Sequence, residues 1–306
     1  MSKARILAAL GGIAIAAIAL TGCNSGSPTG STGAGTGSTE GAGDGASSTP
    51  WTVATDVKLE GSPTFDKITK ADKIVIGVKE DQPGLGYKDA ATGDRTGFDV
   101  DIARWIAASL GFDEDKIEFK AIPSANREQS LVNGDIDYYV GTYSITDKRK
   151  EQIDFAGPYF ITGQGLLVRK DDDTIKSEKD LDGKKVCSAT GSTPLQNIEA
   201  NFPGATAVGL DLYSACVDQL IDKTVDVVTT DQAILLGYAA QDPDELKVVG
   251  EPFTTEKYGV GLPKGDTALK DFVNTMFTDG HDVWQKIYDN NLGATGLTVE
   301  QPKVEE

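Results

Sequence analysis

The sequence predicts an α/β protein of two lobes, and two observations lead there. From about Phe65 onward, strand-like and helix-like stretches alternate, a pattern that builds parallel-rich sheets covered by helices. That alternating region runs to about 240 residues, more than one hydrophobic core comfortably holds, so two lobes are expected.

The chain opens with Lys3 and Arg5, an apolar run from Ile6 to Leu20, and the tetrapeptide Leu20-Thr-Gly-Cys23. A short apolar segment with a positive flank and small residues at its end reads as a secretory signal, too short for a firm membrane span. The tetrapeptide fits a lipoprotein signal spanning residues 1–22, with Cys23 as the lipid-modified first residue. A plain cleaved signal with an incidental cysteine is the alternative. Residues 23–50 are rich in Gly, Ser and Thr, with Pro28 and Pro50. They hold nothing to bury and read as a flexible, lipid-anchored tether with a reach on the order of 30 Å.

Lys73 to Val78 then reads as a buried strand. Phe98, Ile102, Trp105, Ile106 and Leu110 fall on one helical face that Gly111 ends, which makes Trp105 a core residue. A strand at Ile117 to Ile122, a helix at Ala125 to Asn133 stopped by Gly134, and a strand at Asp137 to Ser144 follow. Thr146 and Asp147 supply the cap and acidic first turn of a short helix. Arg149 therefore stands one turn into a helix beside a strand end, where open α/β sheets bind ligands. A guanidinium there suits a carboxylate held by two hydrogen bonds; spacing alone leaves a solvated surface Arg equally open.

Further on, Thr190-Gly-Ser-Thr-Pro194 leads into a helix, with Thr193 as the expected cap and Pro194 as its first residue. Free N–H groups at such an end attract an anion, although an ordinary capped helix has the same pattern. The strand Val225 to Thr230 delivers Asp231 at its end.

The formal charge of −18 argues against a nucleic-acid partner and fits an exported domain. Of three cysteines, Cys23 is assigned to lipid, which leaves Cys187 and Cys216 as a pair in an oxidising compartment; two free buried thiols are the alternative. With His281 as the single histidine and no zinc-like thiol spacing, neither a metal nor a cofactor is expected.

Six motifs in order carry a family resemblance. They are Gly97-Phe-Asp-Val-Asp-Ile102, Leu131-Val-Asn-Gly-Asp-Ile-Asp137, Ser144-Ile-Thr-Asp-Lys-Arg-Lys150 with Asp154-Phe-Ala-Gly-Pro-Tyr-Phe160, Asp180-Leu-Asp-Gly-Lys184, Asp231 with Leu235-Leu-Gly-Tyr238, and Tyr258-Gly-Val-Gly-Leu-Pro-Lys-Gly265. From roughly Asp72 to Leu292 the chain resembles the extracytoplasmic amino-acid-binding proteins of ABC transporters, solute-binding family 3. Ser144 stands where the family often has Thr, and Ala189 where it has Gly or Ser; the hydroxyl and the main-chain groups are kept.

The resemblance implies a two-lobed periplasmic-binding-protein type II fold with two hinge crossovers, near Tyr159 to Gly163 and Thr254 to Tyr258. Lobe 1 would hold 66–161 and 257–306, lobe 2 would hold 162–256, and the cleft between them would be the site. It further implies that Arg149, Ser144, Thr190, Ser192 and Thr193 receive an α-carboxylate. Asp231 and the Thr142 carbonyl would take the ammonium, and Lys79 and Arg127 a side-chain carboxylate. Counting three cations against one carboxylate favours glutamate or aspartate, delivered by a monomer to a permease at the membrane that Cys23 anchors. Glutamine or another polar amino acid is the alternative ligand. An enzyme on the same fold, such as a dehydratase of a cyclic substrate, is the rival class. It is disfavoured by the single histidine and the dense cationic site.

Overall fold

The computed structural model describes residues 49–305. The expected signal, Cys23 and the tether as far as residue 48 lie outside the described residues.

Chain order builds lobe 1 first. It contains α1 (Pro63–Ala71), β1 (Ile74–Val78), a small hairpin sheet of β2 (Asp81–Gln82), β3 (Gly86–Lys88) and β4 (Arg95–Thr96), and α2 (Phe98–Ser109). These are followed by β5 (Ile117–Ala121), α3 (Arg127–Val132), β6 (Tyr138–Tyr139), α4 (Asp147–Lys150) and β7 (Asp154–Thr162). The chain then crosses at Gly163 into a second sheet made from β8 (Gln164–Arg169), β9 (Lys185–Ala189), β10 (Thr206–Leu210), β11 (Val227–Asp231) and β12 (Leu246–Val249). Helices α5 (Thr193–Asn201), α6 (Tyr213–Ile221) and α7 (Gln232–Gln241) cover it. It returns along β13 (Glu256–Leu262) to lobe 1 and ends with α8 (Thr267–Asp279) and α9 (His281–Asn291).

The two sheets repeat one plan. Their orders are β5-β1-β6-β13-β7 and β10-β9-β11-β8-β12. In the first, β5, β1 and β6 are parallel while β13 runs antiparallel to β6 and β7. In the second, β10, β9 and β11 are parallel while β8 runs antiparallel to β11 and β12. The parallel strands need helical crossovers, which explains the alternation in sequence. The long antiparallel pair β7–β13 carries the chain out of lobe 1 and back.

The cores follow the expected faces. Ile102, Trp105 and Ile106 are buried, and Trp105 meets Phe277 of α8 edge-on at 5.8 Å. Gly111, at φ +92, ends that helix. In lobe 2 the Cys187–Cys216 disulfide forms, tying β9 to α6 with a Cα–Cα distance of 5.6 Å.

Two expectations need correction. The folded chain begins well before Phe65: Trp51, Val57 and Leu59 pack against the lobe 1 core, and the Ala54 amide donates to the Ala108 carbonyl at 2.9 Å. Ser62 caps α1 and also donates to Asp266 Oδ2 at 2.8 Å, a long-range tie with no signature in local sequence. At the other end, the Glu305 amide donates to the Gly157 carbonyl on β7 at 2.9 Å. The expected strand Asp137 to Ser144 is also far shorter. Only Tyr138–Tyr139 pairs regularly, and Thr142 adopts φ +46, which turns its amide onto Asp99 Oδ2 at 2.9 Å.

Candidate ligand site

The C-terminal ends of β1 and β6 and the starts of α3 and α5 meet where the lobes face each other. Arg149 is the bridge. The Thr146 hydroxyl accepts from the Arg149 amide at 3.3 Å and sets the turn of α4. The guanidinium then donates through Nη1 to the Ser144 carbonyl at 2.6 Å and through Nη2 to the Gly191 carbonyl of lobe 2 at 3.0 Å. Its Nε pairs with Glu128 Oε1 at 3.0 Å. Three of five donors are thus used, and the two that remain sit on the terminal nitrogens, one on each. Beside this residue an opening of about 390 Å³ is lined from lobe 1 by Ser124, Glu128 and Thr146 and from lobe 2 by Gly191 and Thr193.

Arg127, the first residue of α3, is 2% exposed and lies over the Tyr143 ring with Cζ 4.2 Å from its centroid. It donates from Nε to the Ser124 carbonyl at 3.2 Å and from Nη1 to the Thr142 carbonyl at 3.3 Å. Lys79 follows β1 and donates to Ser124 Oγ at 2.8 Å. Burial, and then the Arg127 charge, lower its pKa to about 7. Among the described residues neither Lys79 nor Arg127 has a carboxylate within salt-bridge distance.

Opposite them stands Asp231, which ends β11 and starts α7 without using its side chain as a cap. It is 3% exposed, its Oδ2 accepts from the Tyr258 hydroxyl at 2.7 Å, and its Oδ1 has no partner. Burial first, and the Glu256 charge second, raise its pKa to about 8. Unpaired buried polar atoms cost free energy. An orphaned carboxylate oxygen facing two arginines with spare donors therefore describes a place for a charged guest.

The remaining expected residues divide. The Ser144 hydroxyl lies 3.3 Å from Thr193 Oγ1. The cap of α5 is Ser192, not Thr193: its hydroxyl accepts from the Leu195 amide at 3.1 Å. The register slips by one because Thr193 gives its single hydroxyl proton to Glu256 Oε2 at 2.9 Å instead. Thr190 is exposed and spends its amide on the Leu210 carbonyl at 2.7 Å, so it is not part of the buried set. The Thr142 carbonyl already accepts from Arg127 and keeps one lone pair.

Sequence reasoning missed Glu128, Glu256 and Asp81. The first sits beside Arg127 and the second lies two residues before Tyr258 on the same strand face, but adjacency does not say what a carboxylate pairs with. Asp81, from the hairpin sheet, accepts amides from Tyr213 at 2.9 Å and Ser214 at 3.2 Å at the start of α6, and so joins lobe 1 to lobe 2. The balance of three cations against one carboxylate is accordingly revised, since Glu128 offsets Arg149 and Glu256 adds to Asp231. Among the described residues there is no cluster of potential metal ligands and no helix long and apolar enough to cross a membrane.

Two lobes joined by paired strands, with buried cations and an orphaned carboxylate between them, define a cleft-type binding protein. The family model for bacterial extracellular solute-binding proteins, family 3, matches residues 74–294, and the chain belongs to that family. It is 42% identical over 242 residues to the glutamate-binding protein GluB of Corynebacterium efficiens, covering 74% of this chain and 81% of that protein. It is 40% identical over 247 residues to a glutamine-binding protein of Geobacillus stearothermophilus, covering 80% and 87%. Among solved structures, an ancestral arginine-binding protein bound to arginine matches with a TM-score of 0.66 and 36% identity over 72% of this chain and 98% of that one. The cysteine-binding protein of Campylobacter jejuni matches with a TM-score of 0.72 and 28% identity over 78% and 99%.

Proposed function

We propose that the cleft binds an acidic amino acid, glutamate foremost and aspartate second, and that the protein hands it to the permease of an ABC transporter without chemical change. The observation that carries this reading is the pair Arg127 and Lys79, buried in the cleft without a carboxylate partner among the described residues. A second carboxylate on the ligand supplies what they lack. The free donors of Arg149, with Ser144, Ser192 and Thr193 around the start of α5, receive the α-carboxylate. Asp231 and the spare lone pair of the Thr142 carbonyl receive the ammonium. The two glutamate-binding relatives at 42% and 40% identity support the choice. Lipidation at Cys23 after loss of residues 1–22, with residues 23–50 as leash, belongs to the same reading; membrane partitioning of a Cys23→Ser variant tests it. So do hinges near residues 159–163 and 254–258 that separate lobe 2 (162–256) from lobe 1.

Glutamine is the second reading. Two relatives at 40% identity are glutamine-binding proteins, and an amine lowered to about 7 can shed its proton beside a neutral amide. The deciding experiment is calorimetric titration of wild type and Arg127→Ala with both amino acids. In the acidic reading the variant loses about 2 to 4 kcal/mol for glutamate and much less for glutamine, because only glutamate strands a charge. Equal losses for both, or a wild type that prefers glutamine, overturn it.

A further inference from the structure

Glu256 is a strongly buried carboxylate beside the cleft to which the binding scheme gives no role. It opens β13, is 7% exposed, and its oxygens accept only neutral hydroxyls: Thr193 Oγ1 on Oε2 at 2.9 Å and Thr254 Oγ1 on Oε1 at 3.2 Å. Residues 256 and 258 share a face of the strand, and the Tyr258 hydroxyl is bonded to Asp231. Glu256 therefore shares the strand face from which Tyr258 reaches Asp231. Among the described residues no lysine, arginine or histidine lies within salt-bridge distance of either carboxylate. Thr193 ties Glu256 further to Ser144, so the group sits on the seam where lobe 2, lobe 1 and the return strand meet.

We propose that Glu256 is a specificity-determining residue which, with Asp231, forms a carboxylate pair that the ligand's α-ammonium must balance before the cleft can close tightly. The inference rests on the amino-acid reading given above. Two buried carboxylates with no cation between them either repel or must hold a proton, and that cost is met in the closed arrangement, where water is excluded. A cation between them removes it. A molecule with the same carboxylates but no ammonium leaves it in place. The field on Asp231 agrees with the geometry: the negative charge of Glu256 acts on it more strongly than the positive charge of Arg127 or of Arg149. Recognition of the ammonium is then partly a penalty on its absence rather than only a bond to its presence.

The test compares the amino acid that wild type binds best with its des-amino acid: glutamate with glutarate, or glutamine with 5-amino-5-oxopentanoate. Affinities for both are measured by calorimetry on wild type, Glu256→Gln and Glu256→Asp. The ratio should fall by about tenfold in Glu256→Gln, mainly because the des-amino acid gains, and Glu256→Asp should restore most of it. Thermal unfolding of the ligand-free variant should show no loss of stability, which separates this role from a merely structural one. A ratio within about threefold of wild type in folded Glu256→Gln overturns the proposal. Should that variant not fold, Asp231→Asn decides: with Glu256 still present, some preference for the amino acid over its des-amino acid persists, whereas complete loss of preference overturns it. A wild type that binds no amino acid sinks the reading of the site itself; wild-type binding with an unmoved ratio sinks only the role of Glu256.

Discussion

Arg149 is a scaffold residue that keeps two donors free for the reading role proposed for it. Its Nε is spent on Glu128 and its terminal nitrogens on carbonyls from both lobes, which fixes the plane of the fork before any ligand arrives. Arg149→Ala should abolish binding of every amino acid, a loss of about 3 to 5 kcal/mol in calorimetric titration, because the α-carboxylate is common to all. Affinity near that of wild type would contradict the assignment. Lys79 allows a finer reading through protons. Its pKa is lowered from 10.5 to about 7, by burial first and Arg127 next. An anionic side chain beside it favours the charged amine, so glutamate binding should take up a proton at pH 8. Asp231 works the other way: an ammonium favours its carboxylate and releases a proton, but glutamate and glutamine share that ammonium. The difference between the two ligands thus isolates Lys79. Titrations in two buffers of unlike ionisation enthalpy should show more proton uptake for glutamate, and Lys79→Met should erase the difference. The three cations were legible from motif and strand position. Their carboxylate neighbours were not, because Glu128 and Glu256 acquire meaning only through what faces them across 21 and 63 residues of chain.

At the level of elements, the alternating pattern was readable wherever strands and helices run long. It failed where buried aromatics imitate a strand. Tyr138, Tyr139 and Tyr143 are all buried and β-prone, which suggested a continuous strand to Ser144. The carboxylate of Asp99, itself raised to about 6 by burial, draws the Thr142 amide into a left-handed turn and ends the strand early. Without that turn the Thr142 carbonyl would not point to Arg127. The helix start at Thr193 slipped by a residue for a related reason, since two hydroxyls in a row compete for one cap and the tertiary partner Glu256 claims the second. The cysteines were easier to read, as an even pair in an exported chain. Their separation of 29 residues predicts that reduction costs about 3 to 4 kcal/mol in the chain-entropy model. Denaturant unfolding with and without reductant measures this, and indifference to reductant would show that the bridge constrains little.

For the whole molecule, the lobes come into close approach away from the candidate site. A Cβ added at Gly237 of α7 would stand 2.3 Å from the Pro83 carbonyl oxygen of lobe 1. Tyr238 next to it donates to the Asp81 carbonyl, and Asp81 in turn holds the start of α6. Gly237→Ala should therefore keep the lobes apart by more than its own size, since backbone on both sides resists displacement. Affinity for all ligands should fall by about 1 to 3 kcal/mol with selectivity unchanged. Small-angle scattering at saturating ligand should give a larger radius of gyration than wild type. A radius equal to wild type would show that the hinge strands absorb the clash.

The docking of the first described residues has a practical side. Trp51 lies with Arg104, Ala108 and Ile117, at the end of β1 and β5 where those strands begin, whereas Lys79 lies past the end where β1 finishes. A bead, dye or sensor chip attached ahead of residue 49 would thus grip the protein by the pole of lobe 1 remote from the mouth and leave the jaws free to swing. The same handle placed after Glu305 would hang beside β7, the strand that feeds the crossing, and would load the hinge it was meant to observe.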